Sequence, residues 1–228
     1  MKGVGKRIIS LALAILMLLS VFSLSSCNRR YDEEEVLAAA KELLKASEML
    51  NIVYFGSGIE YFDSEDEIGY YRKANPAHLE ALGFSTIDEL KKITEKTFST
   101  SLSNTVYSTV LSSLTTETTL VSPARYHQAY DEKTGEPTHI MVYTKFAQLL
   151  KSTVEYNYDS LRVNGSKKEN VYLSVDATVT SEDGKSQVTT VSFSVIEEEN
   201  GWRLNSTTYA NYNASKDRYD ELKDKDIK

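Results

Sequence analysis

The stretch VYLSVDATV, from Val171 to Val179, alternates apolar and polar side chains at every step. A period of two is typical of a β-strand with one buried face. Similar segments surround it, and glycine-containing dipeptides that favour tight turns separate them. The predicted strands are Val154 to Val163, Val171 to Val179, Val188 to Ile196 and Trp202 to Tyr209, with turns at Asn164-Gly165, Asp183-Gly184 and Asn200-Gly201. The sequence therefore predicts an antiparallel meander that packs one face and exposes the other.

The chain before this meander changes from helical to alternating periodicity near Pro123. Two earlier strands, Ala124 to Tyr130 and His139 to Tyr143, are expected to form a hairpin around the turn Asp131 to Pro137. Upstream, apolar residues recur at helical spacing. The predicted helices are Asp32 to Tyr54, capped by Asp32 and ended by Gly56 and Gly58; a second from Ser85, with Ser85 and Asp88 in capping-box positions; and Ser101 to Leu114. We expect an α+β domain over residues 32–209, with helices (32–114) packed on an antiparallel sheet (124–209).

The first 26 residues have the layout of a secretory signal, with a basic start, an apolar run and a small polar stretch. The following box, Leu24-Ser25-Ser26-Cys27, resembles the bacterial lipobox, whose cysteine receives a diacylglyceryl group. We therefore expect a signal peptide (1–26), a lipidated tether (27–31) and attachment through Cys27 to the outer face of the cytoplasmic membrane. The alternative is a secreted protein with an incidental cysteine. It is disfavoured because a lone cysteine has no disulfide partner within the chain.

The charge of the mature chain limits its partners. Removal of residues 1–26 takes three basic residues and no acidic one, which leaves 23 Lys and Arg against 33 Asp and Glu, a net charge of −10. Nucleic acid is excluded as an expected partner, because binding phosphates needs a basic face. Residues 210–228 are rich in charge and are expected to form a tail. The sequence gives no indication of oligomeric state.

No motif in the sequence predicts catalysis, a metal site or a cofactor. The histidines His78, His127 and His139 lack HExxH spacing and a nearby thiol, although His127 and His139 could pair across one hairpin. Asp63, Glu65, Asp66 and Glu67 suggest a calcium loop, but Ile68 stands where an EF-hand needs glycine. A solvated acidic loop is the preferred interpretation. There is no Gly-x-Ser-x-Gly elbow and no dinucleotide fingerprint.

Aromatic and acidic residues cluster around one predicted loop. The chain has 15 tyrosines, a residue type that gives binding surfaces large contact area at low entropic cost. The same residues could equally complete the core with their hydroxyls at its edge. The predicted partner-binding residues are Tyr61, Phe62, Asp63, Glu65, Asp66, Glu67, Tyr70 and Tyr71.

Several motifs resemble those of clostridial-type extracytoplasmic lipoproteins. They are the leucine-rich first helix, Tyr54-Phe55-Gly56-x-Gly58, Thr97-Phe98, Ala124-Arg125-Tyr126 and the ending Gly201-Trp202-Arg203-Leu204-x-Ser206-x-Thr208-Tyr209. Over Val36 to Tyr209 the chain is similar to the cell-wall DL-endopeptidase inhibitors of Gram-positive bacteria (the IseA-like group), and more distantly to NTF2-like cone domains. The resemblance implies a noncatalytic protein that occupies the cleft of a peptidoglycan hydrolase. The resemblance does not assign any functional residue of that family to a position in this chain.

These observations together favour a lipid-anchored binding protein of the cell envelope, with a cell-wall hydrolase as the expected partner. The alternative function is that of a small-ligand-binding or sensory NTF2-like lipoprotein, with its pocket between helices and sheet. An enzyme is the third candidate. A deep pocket with convergent polar groups favours the ligand-binding alternative, whereas a shallow surface with exposed tyrosines and acids favours the inhibitor.

Overall fold

The computed structural model describes residues 31–62, 70–115, 120–145, 153–181 and 183–210. The predicted signal peptide, Cys27, the four acidic residues between 63 and 67, and the predicted tail beyond 210 lie outside these ranges. The chain divides into a unit of residues 1–35 and a unit of residues 36–228. In the first unit, Asp32 Oδ1 accepts hydrogen bonds from the backbone N–H groups of Glu34, at 2.8 Å, and Glu35, at 3.2 Å. The predicted helix cap at Asp32 is confirmed.

The protein has an α+β fold in which the longer helices precede the four-stranded sheet. The helices are α1 (Glu33–Tyr54), α2 (Pro76–Leu82), α3 (Ile87–Thr97), α4 (Thr100–Val106) and a π-helical turn (Tyr107–Leu111). The strands are β1 (Tyr71–Lys73), β2 (Leu114–Thr115), β3 (Leu120–Ser122), β4 (Tyr126–Tyr130), β5 (Pro137–Tyr143), β6 (Thr153–Lys167), β7 (Asn170–Thr180), β8 (Ser186–Glu198) and β9 (Gly201–Leu204).

The predicted meander is the four-stranded antiparallel sheet β6-β7-β8-β9. Its central strand β7 buries every second side chain, from Val171 to Val179, while Tyr172 on the other face is 43% exposed. The register places Val175 opposite Val191 and Val171 opposite Val195, and all four side chains are buried. One face of the sheet therefore packs, as the alternation predicts.

The predicted turn at Asn164-Gly165 is wrong. Strand β6 continues through both residues and reverses at Lys168 and Glu169. Gly165 instead lies at a register shift, with φ of 140°, and pairs with Tyr172. Extending β6 past Gly165 adds two further pairs with β7, and Lys168 takes the positive φ, 57°, that the tight reversal needs. Gly165 thus forms part of a β-bulge, which bends the strand.

The last predicted strand, Trp202 to Tyr209, is too long. Strand β9 ends at Leu204, and the chain then leaves the sheet. Thr208 hydrogen-bonds side chains of α1, and the ring of Tyr209 stacks on Phe55 with centroids 6.2 Å apart. Contacts with α1 and Phe55 thus fix Thr208 and Tyr209, whereas Asn205 and Ser206 still hydrogen-bond to Ser194 of β8.

The strands predicted as one sheet over residues 124–209 lie in two separate sheets in the described ranges. The predicted hairpin β4-β5 is present, but β5 also pairs with β1, which the sequence did not predict. A third, two-stranded sheet is formed by β2 and β3. Strand β1 was missed because three residues are too few to show a period.

The capping prediction for the second helix is displaced by one residue. Helix α3 is capped by Thr86, whose side chain accepts from the Glu89 N–H while the Glu89 carboxylate accepts from the Thr86 N–H. Ser85, the predicted cap, donates to the same carboxylate. Helix α2 was not predicted, although Asn75 caps it and Pro76 opens it, both standard start signals. The helix predicted over Ser101 to Leu114 extends to Leu111, with its last five residues π-helical.

Among the described residues, no helix is long and apolar enough to cross a membrane. The interior of the second unit contains side chains of α1, α3 and both larger sheets. Its largest fully buried side chains include Leu44, Leu50, Leu90, Phe98, Arg125, Tyr126, Ile140, Leu173 and Leu204. Arg125 is the unusual member of this set, because charged side chains are rarely buried without specific partners.

Candidate binding cleft

The predicted partner-binding residues fall into three groups. Phe62 and Tyr70 are exposed, at 47% and 56% of their surface. Tyr61 lines a cleft, and Tyr71 is partly buried with its hydroxyl donating to the Ala124 carbonyl at 2.7 Å. Burial raises the pKa of Tyr71 to about 12. Tyr71 therefore contributes to packing, whereas Asp63, Glu65, Asp66 and Glu67 lie outside the described residues.

Phe62 and Tyr70 mark the two ends of the segment that contains the acidic residues. Tyr61 pairs antiparallel with Ala74, and the Phe62 N–H donates to the Lys73 carbonyl at 3.1 Å. Tyr61 and Phe62 therefore lie beside the backbone of Lys73 and Ala74. The ring of Tyr70 carries the ammonium of Lys145 above it, 4.2 Å from the ring centroid, in a cation–π contact. Two exposed aromatic side chains therefore adjoin the base of this segment.

A cleft of about 720 Å³ lies at the C-terminal end of α1. Its walls come from α1, the segment after it, α2, the start of β6 and the residue Tyr209. The lining residues are Glu48, Asn51, Ile52, Ser57, Gly58, Ile59, Glu60, Tyr61, His78, Thr153, Val154, Tyr156 and Tyr209. This volume is in the usual range of small-molecule sites.

The segment that follows α1 is held in place by Arg125 and Tyr126. The Arg125 guanidinium donates to the carbonyls of Tyr54, at 3.1 Å, and Gly56, at 2.8 Å. The Tyr126 hydroxyl donates to the Val53 carbonyl at 2.8 Å and accepts from the Ile59 N–H at 3.2 Å. These bonds satisfy carbonyls that a helix end leaves unpaired, and they fix one wall of the cleft.

Gly58 is required at the closest point of this contact. Its φ is +83°, and an added Cβ would lie 2.4 Å from Arg125 Nη2 and 2.5 Å from the Tyr126 hydroxyl oxygen. Both the backbone conformation and the lack of space exclude a side chain there. The sequence motif Gly56-x-Gly58 and the motif Arg125-Tyr126 are therefore two halves of one structural feature.

A hydrogen-bonded chain connects two lining residues of the cleft, Asn51 and Tyr156, with Thr208 and Ser47, which do not line it; these four residues are called the floor of the cleft. The Asn51 Nδ2 donates to Thr208 Oγ1 at 2.9 Å and to the Tyr156 hydroxyl at 3.3 Å. Thr208 Oγ1 lies 2.9 Å from Ser47 Oγ, which donates to the Leu44 carbonyl at 2.7 Å. The Tyr156 hydroxyl in turn donates to the Thr208 carbonyl at 2.8 Å. The C-terminal end of the described chain is thereby fixed to α1.

The other end of the Asn51 amide has no such partner. Within the described part of the chain, Asn51 Oδ1 is buried and accepts no hydrogen bond, and the residue as a whole is 3% exposed. A buried acceptor without a donor costs about 1–3 kcal/mol. The two hydrogen bonds of Nδ2 set the orientation of the amide, and Asn51 is one of the residues that line the cleft.

The rim of the cleft carries acidic and aromatic groups. Glu48 accepts a hydrogen bond from the Tyr158 hydroxyl. The backbone N–H of Glu60 donates to His78 Nδ1 at 2.9 Å, which places the proton of a neutral His78 ring on Nε2. Lys41 and Lys45 stand over the ring of Tyr158, with Nζ 5.7 and 6.0 Å from its centroid.

The tyrosines at the cleft are strongly held in their neutral form. Burial raises the pKa of Tyr156 to about 12, against the opposing effect of its hydrogen bond with Thr208. Burial, and after it the bond to Glu48, also raises the pKa of Tyr158. Both groups therefore act at neutral pH as uncharged hydroxyls and as aromatic surfaces.

A second, smaller cavity of about 420 Å³ lies beside the π-helical turn. Its lining includes Glu95, Tyr107, Glu198 and Arg203. The Arg203 Nε donates to the Glu95 carbonyl at 3.0 Å, and Glu198 accepts from the Thr100 N–H at 2.9 Å at the start of α4. These groups join α3 to β9 and α4 to β8.

His127 and His139 lie two register positions apart on the β4-β5 hairpin, whereas His78 lines the cleft. His127 is paired in register with Met141, and His139 with Ala129, so the two rings are not directly opposite. Burial of His127, whose ring packs edge-on against Tyr71 at 4.7 Å, lowers its pKa, and His139 lowers it further. Among the described residues, no group of three or more metal-ligating side chains is placed to hold an ion.

Sequence reasoning did not identify the residues at the floor of the cleft. Ser47 and Asn51 interrupt the apolar face of α1 four residues apart, and both are buried. Polar residues on a buried helical face need partners, so this pair was the available signal. Their partners Tyr156 and Thr208 are more than 100 positions away in sequence, and no local pattern connects them.

The motifs that carry the sequence resemblance pack against each other. The rings of Tyr54 and Phe98 lie 6.5 Å apart, Phe98 forms a bridge with Leu204, and Arg125 bonds the Tyr54 carbonyl. These motifs therefore contribute to the packing of the domain.

No protein-family model matches the sequence, and comparison with curated proteins gives no match.

Proposed function

We propose that the protein is a noncatalytic, lipid-anchored binding protein of the cell envelope, with a peptidoglycan hydrolase as its partner. The observation that carries the proposal is the pair Phe62 and Tyr70. Both are exposed, and they adjoin the two ends of a segment that contains four carboxylates. Anchoring through Cys27 and an IseA-like or NTF2-like cone as the finer fold belong to the same proposal, and rest on the motifs quoted above.

The chemistry of this surface suits a basic protein partner. Exposed aromatic side chains contribute most of the binding energy in many protein interfaces, because their burial removes a large apolar area from water. Carboxylates close to them in the sequence would raise the association rate with a positively charged enzyme and contribute less to final affinity. The net charge of −10 expected for the mature chain acts in the same direction.

The test is titration of purified residues 28–228 into the digestion of isolated cell walls by DL-endopeptidases. We expect slower digestion at micromolar concentrations. The double substitution Phe62→Ala with Tyr70→Ala should weaken inhibition by about tenfold or more. A matched control is Tyr130→Ala with Tyr172→Ala, which removes two tyrosines that are 58% and 43% exposed elsewhere.

Two outcomes would contradict the proposal. One is unchanged digestion at micromolar protein across the hydrolases of the source organism. The other is an equal loss of inhibition in the two double variants, because inhibition would then not depend on the surface around Phe62 and Tyr70. Neutralising Asp63, Glu65, Asp66 and Glu67 to amides should chiefly lower the association rate, and should do so less at high salt.

A further inference from the structure

We propose that the cleft at the end of α1 binds a small ligand through a primary ammonium group. This inference does not depend on the partner proposed above, because it rests on a different surface. Three features of the lining carry it: its charge, its aromatic rings and the buried oxygen of Asn51.

The charge of the cleft favours a cation. Among the described residues, its lining includes the carboxylates Glu48 and Glu60 and no lysine or arginine. A third lining group, His78, accepts a hydrogen bond at Nδ1 from the Glu60 N–H. Lys41 and Lys45 lie outside this lining, over the ring of Tyr158. A concave site whose own lining has one sign of charge concentrates its potential, so a cation is attracted there.

Aromatic rings provide the second feature. Tyr61 and Tyr156 both line the cleft, and tyrosine faces attract cations. Since burial raises the pKa of Tyr156, its ring stays neutral and its hydroxyl stays bonded to Thr208. Carboxylates and rings together would accept any organic cation of suitable size.

The oxygen of the Asn51 amide favours, among possible cationic ligands, those that carry N–H groups. Both hydrogens of its Nδ2 are used, by Thr208 and Tyr156, whereas the buried Oδ1 accepts no hydrogen bond among the described residues. An ammonium group donates three hydrogen bonds and can satisfy this oxygen. A quaternary ammonium has the same charge but no donor. The cleft should therefore distinguish a primary amine from its trimethylated form.

The experiment uses the full chain, purified in a nonionic detergent, and pentylamine as the probe. Isothermal titration calorimetry should show saturable binding with a Kd of about 1 mM, since six heavy atoms limit the affinity. Three ligands of similar length separate the contributions: trimethylpentylammonium lacks the N–H donors, pentanol lacks the charge, and hexanoate reverses it. We expect each to bind at least about tenfold more weakly.

Variants test the location of the site. Glu48→Gln with Glu60→Gln should weaken pentylamine binding by about tenfold or more. The matched control, Glu132→Gln with Glu136→Gln, removes the same charge from two exposed residues of the β4-β5 turn. A melting curve by circular dichroism checks that both variants fold.

The proposal is overturned by any of three results. They are the absence of saturable binding at about ten times the expected Kd, equal binding of pentylamine and its trimethylated form, and equal effects of the two double variants. None of these results bears on inhibition of a hydrolase. The two proposals can therefore fail separately.

Discussion

Arg125 joins its guanidinium to the carbonyl of Gly56 at 2.8 Å, in the interior of the domain, and reaches the Tyr54 carbonyl at 3.1 Å with its other terminal nitrogen. The residue is 2% exposed. One side chain thus serves two carbonyls at the end of α1, where helical bonds are no longer available. Arginine suits this position because its donors form a rigid, planar fork.

Replacing Arg125 by lysine should therefore destabilise the protein although the charge is kept. A single ammonium cannot reproduce both bonds with the same geometry, and we expect a loss of about 2–4 kcal/mol in the free energy of unfolding. Urea unfolding of residues 28–228 measures it. Arg162→Lys, at a side chain that is 49% exposed, is the control and should change stability by less than about 0.5 kcal/mol. An equal loss of stability in Arg125→Lys and Arg162→Lys would show that the paired hydrogen bonds of the buried guanidinium do not stabilise the protein.

Gly58→Ala should be far more damaging than Gly83→Ala. The two glycines have nearly the same φ, +83° and +81°, so the backbone strain of about 1–2 kcal/mol is shared. Only at Gly58 would the new Cβ meet Arg125 and Tyr126, whereas Gly83 has no atom within 4 Å of it. We expect Gly58→Ala to lower stability by at least about 2 kcal/mol more than Gly83→Ala in urea unfolding. Similar losses of stability in the two variants would mean that Arg125 and Tyr126 move away from the new Cβ without energetic cost.

Stability should fall as the pH rises from about 10 to about 12, in part through Tyr156. Burial raises the pKa of this group to about 12, above the ordinary value of about 10. The folded state therefore binds more protons than the unfolded state in this interval. The stabilising contribution is complete below pH 10 and is lost as the pH passes 12, with a total of at most about 3 kcal/mol.

Tyr156→Phe should make this decline shallower, although it also removes hydrogen bonds and lowers stability at pH 8. The measurement is the free energy of unfolding in urea at several pH values between 8 and 12. Tyr130→Phe, at an exposed position, should leave the slope unchanged. If the slope of Tyr156→Phe equals that of the unsubstituted chain, the burial of this hydroxyl has no energetic consequence.

Cys27→Ala tests the lipid anchor. Two or more acyl chains hold a protein stably on a membrane, so their loss should move the protein from the membrane fraction to the soluble fraction. Fractionation of cells followed by immunoblotting measures this. A control substitution, Ser25→Ala, keeps the cysteine and should leave the protein on the membrane. An unchanged distribution of Cys27→Ala would contradict lipidation at this residue.

The α+β class was predictable from the sequence because periodicity is a local property. The alternation in β7 and the apolar spacing of α1 each lie within one element. Details that depend on distant pairing were not predictable. Asn164-Gly165 has the composition of a hairpin turn, but its pairing with β7 makes Gly165 part of a bulge. The position of Thr208, beyond the end of β9, likewise depends on bonds to Ser47 and Asn51 of α1, which are distant in sequence.

The candidate site was predictable only in part for the same reason. Phe62 and Tyr70 were predicted from composition to contact a partner, and both side chains are exposed, as such a contact requires. The cleft was not identified, because its floor joins Asn51 with residues 105 and 157 positions away. Tyr71, predicted at the same surface, is instead anchored to the Ala124 carbonyl.

The bond between Thr208 and Asn51 has a consequence for the order in which the molecule is completed. Synthesis releases the chain from its N-terminus, so α1 emerges long before the residue that pairs with its buried amide. Until residue 208 is free, Ser47 and Asn51 stand on an apolar helical face without their distant partner. Closing so long a loop is slow, and the helix stays uncovered meanwhile. A chain truncated a few residues before position 208 should therefore be recognised by cellular proteases as incompletely folded and be degraded.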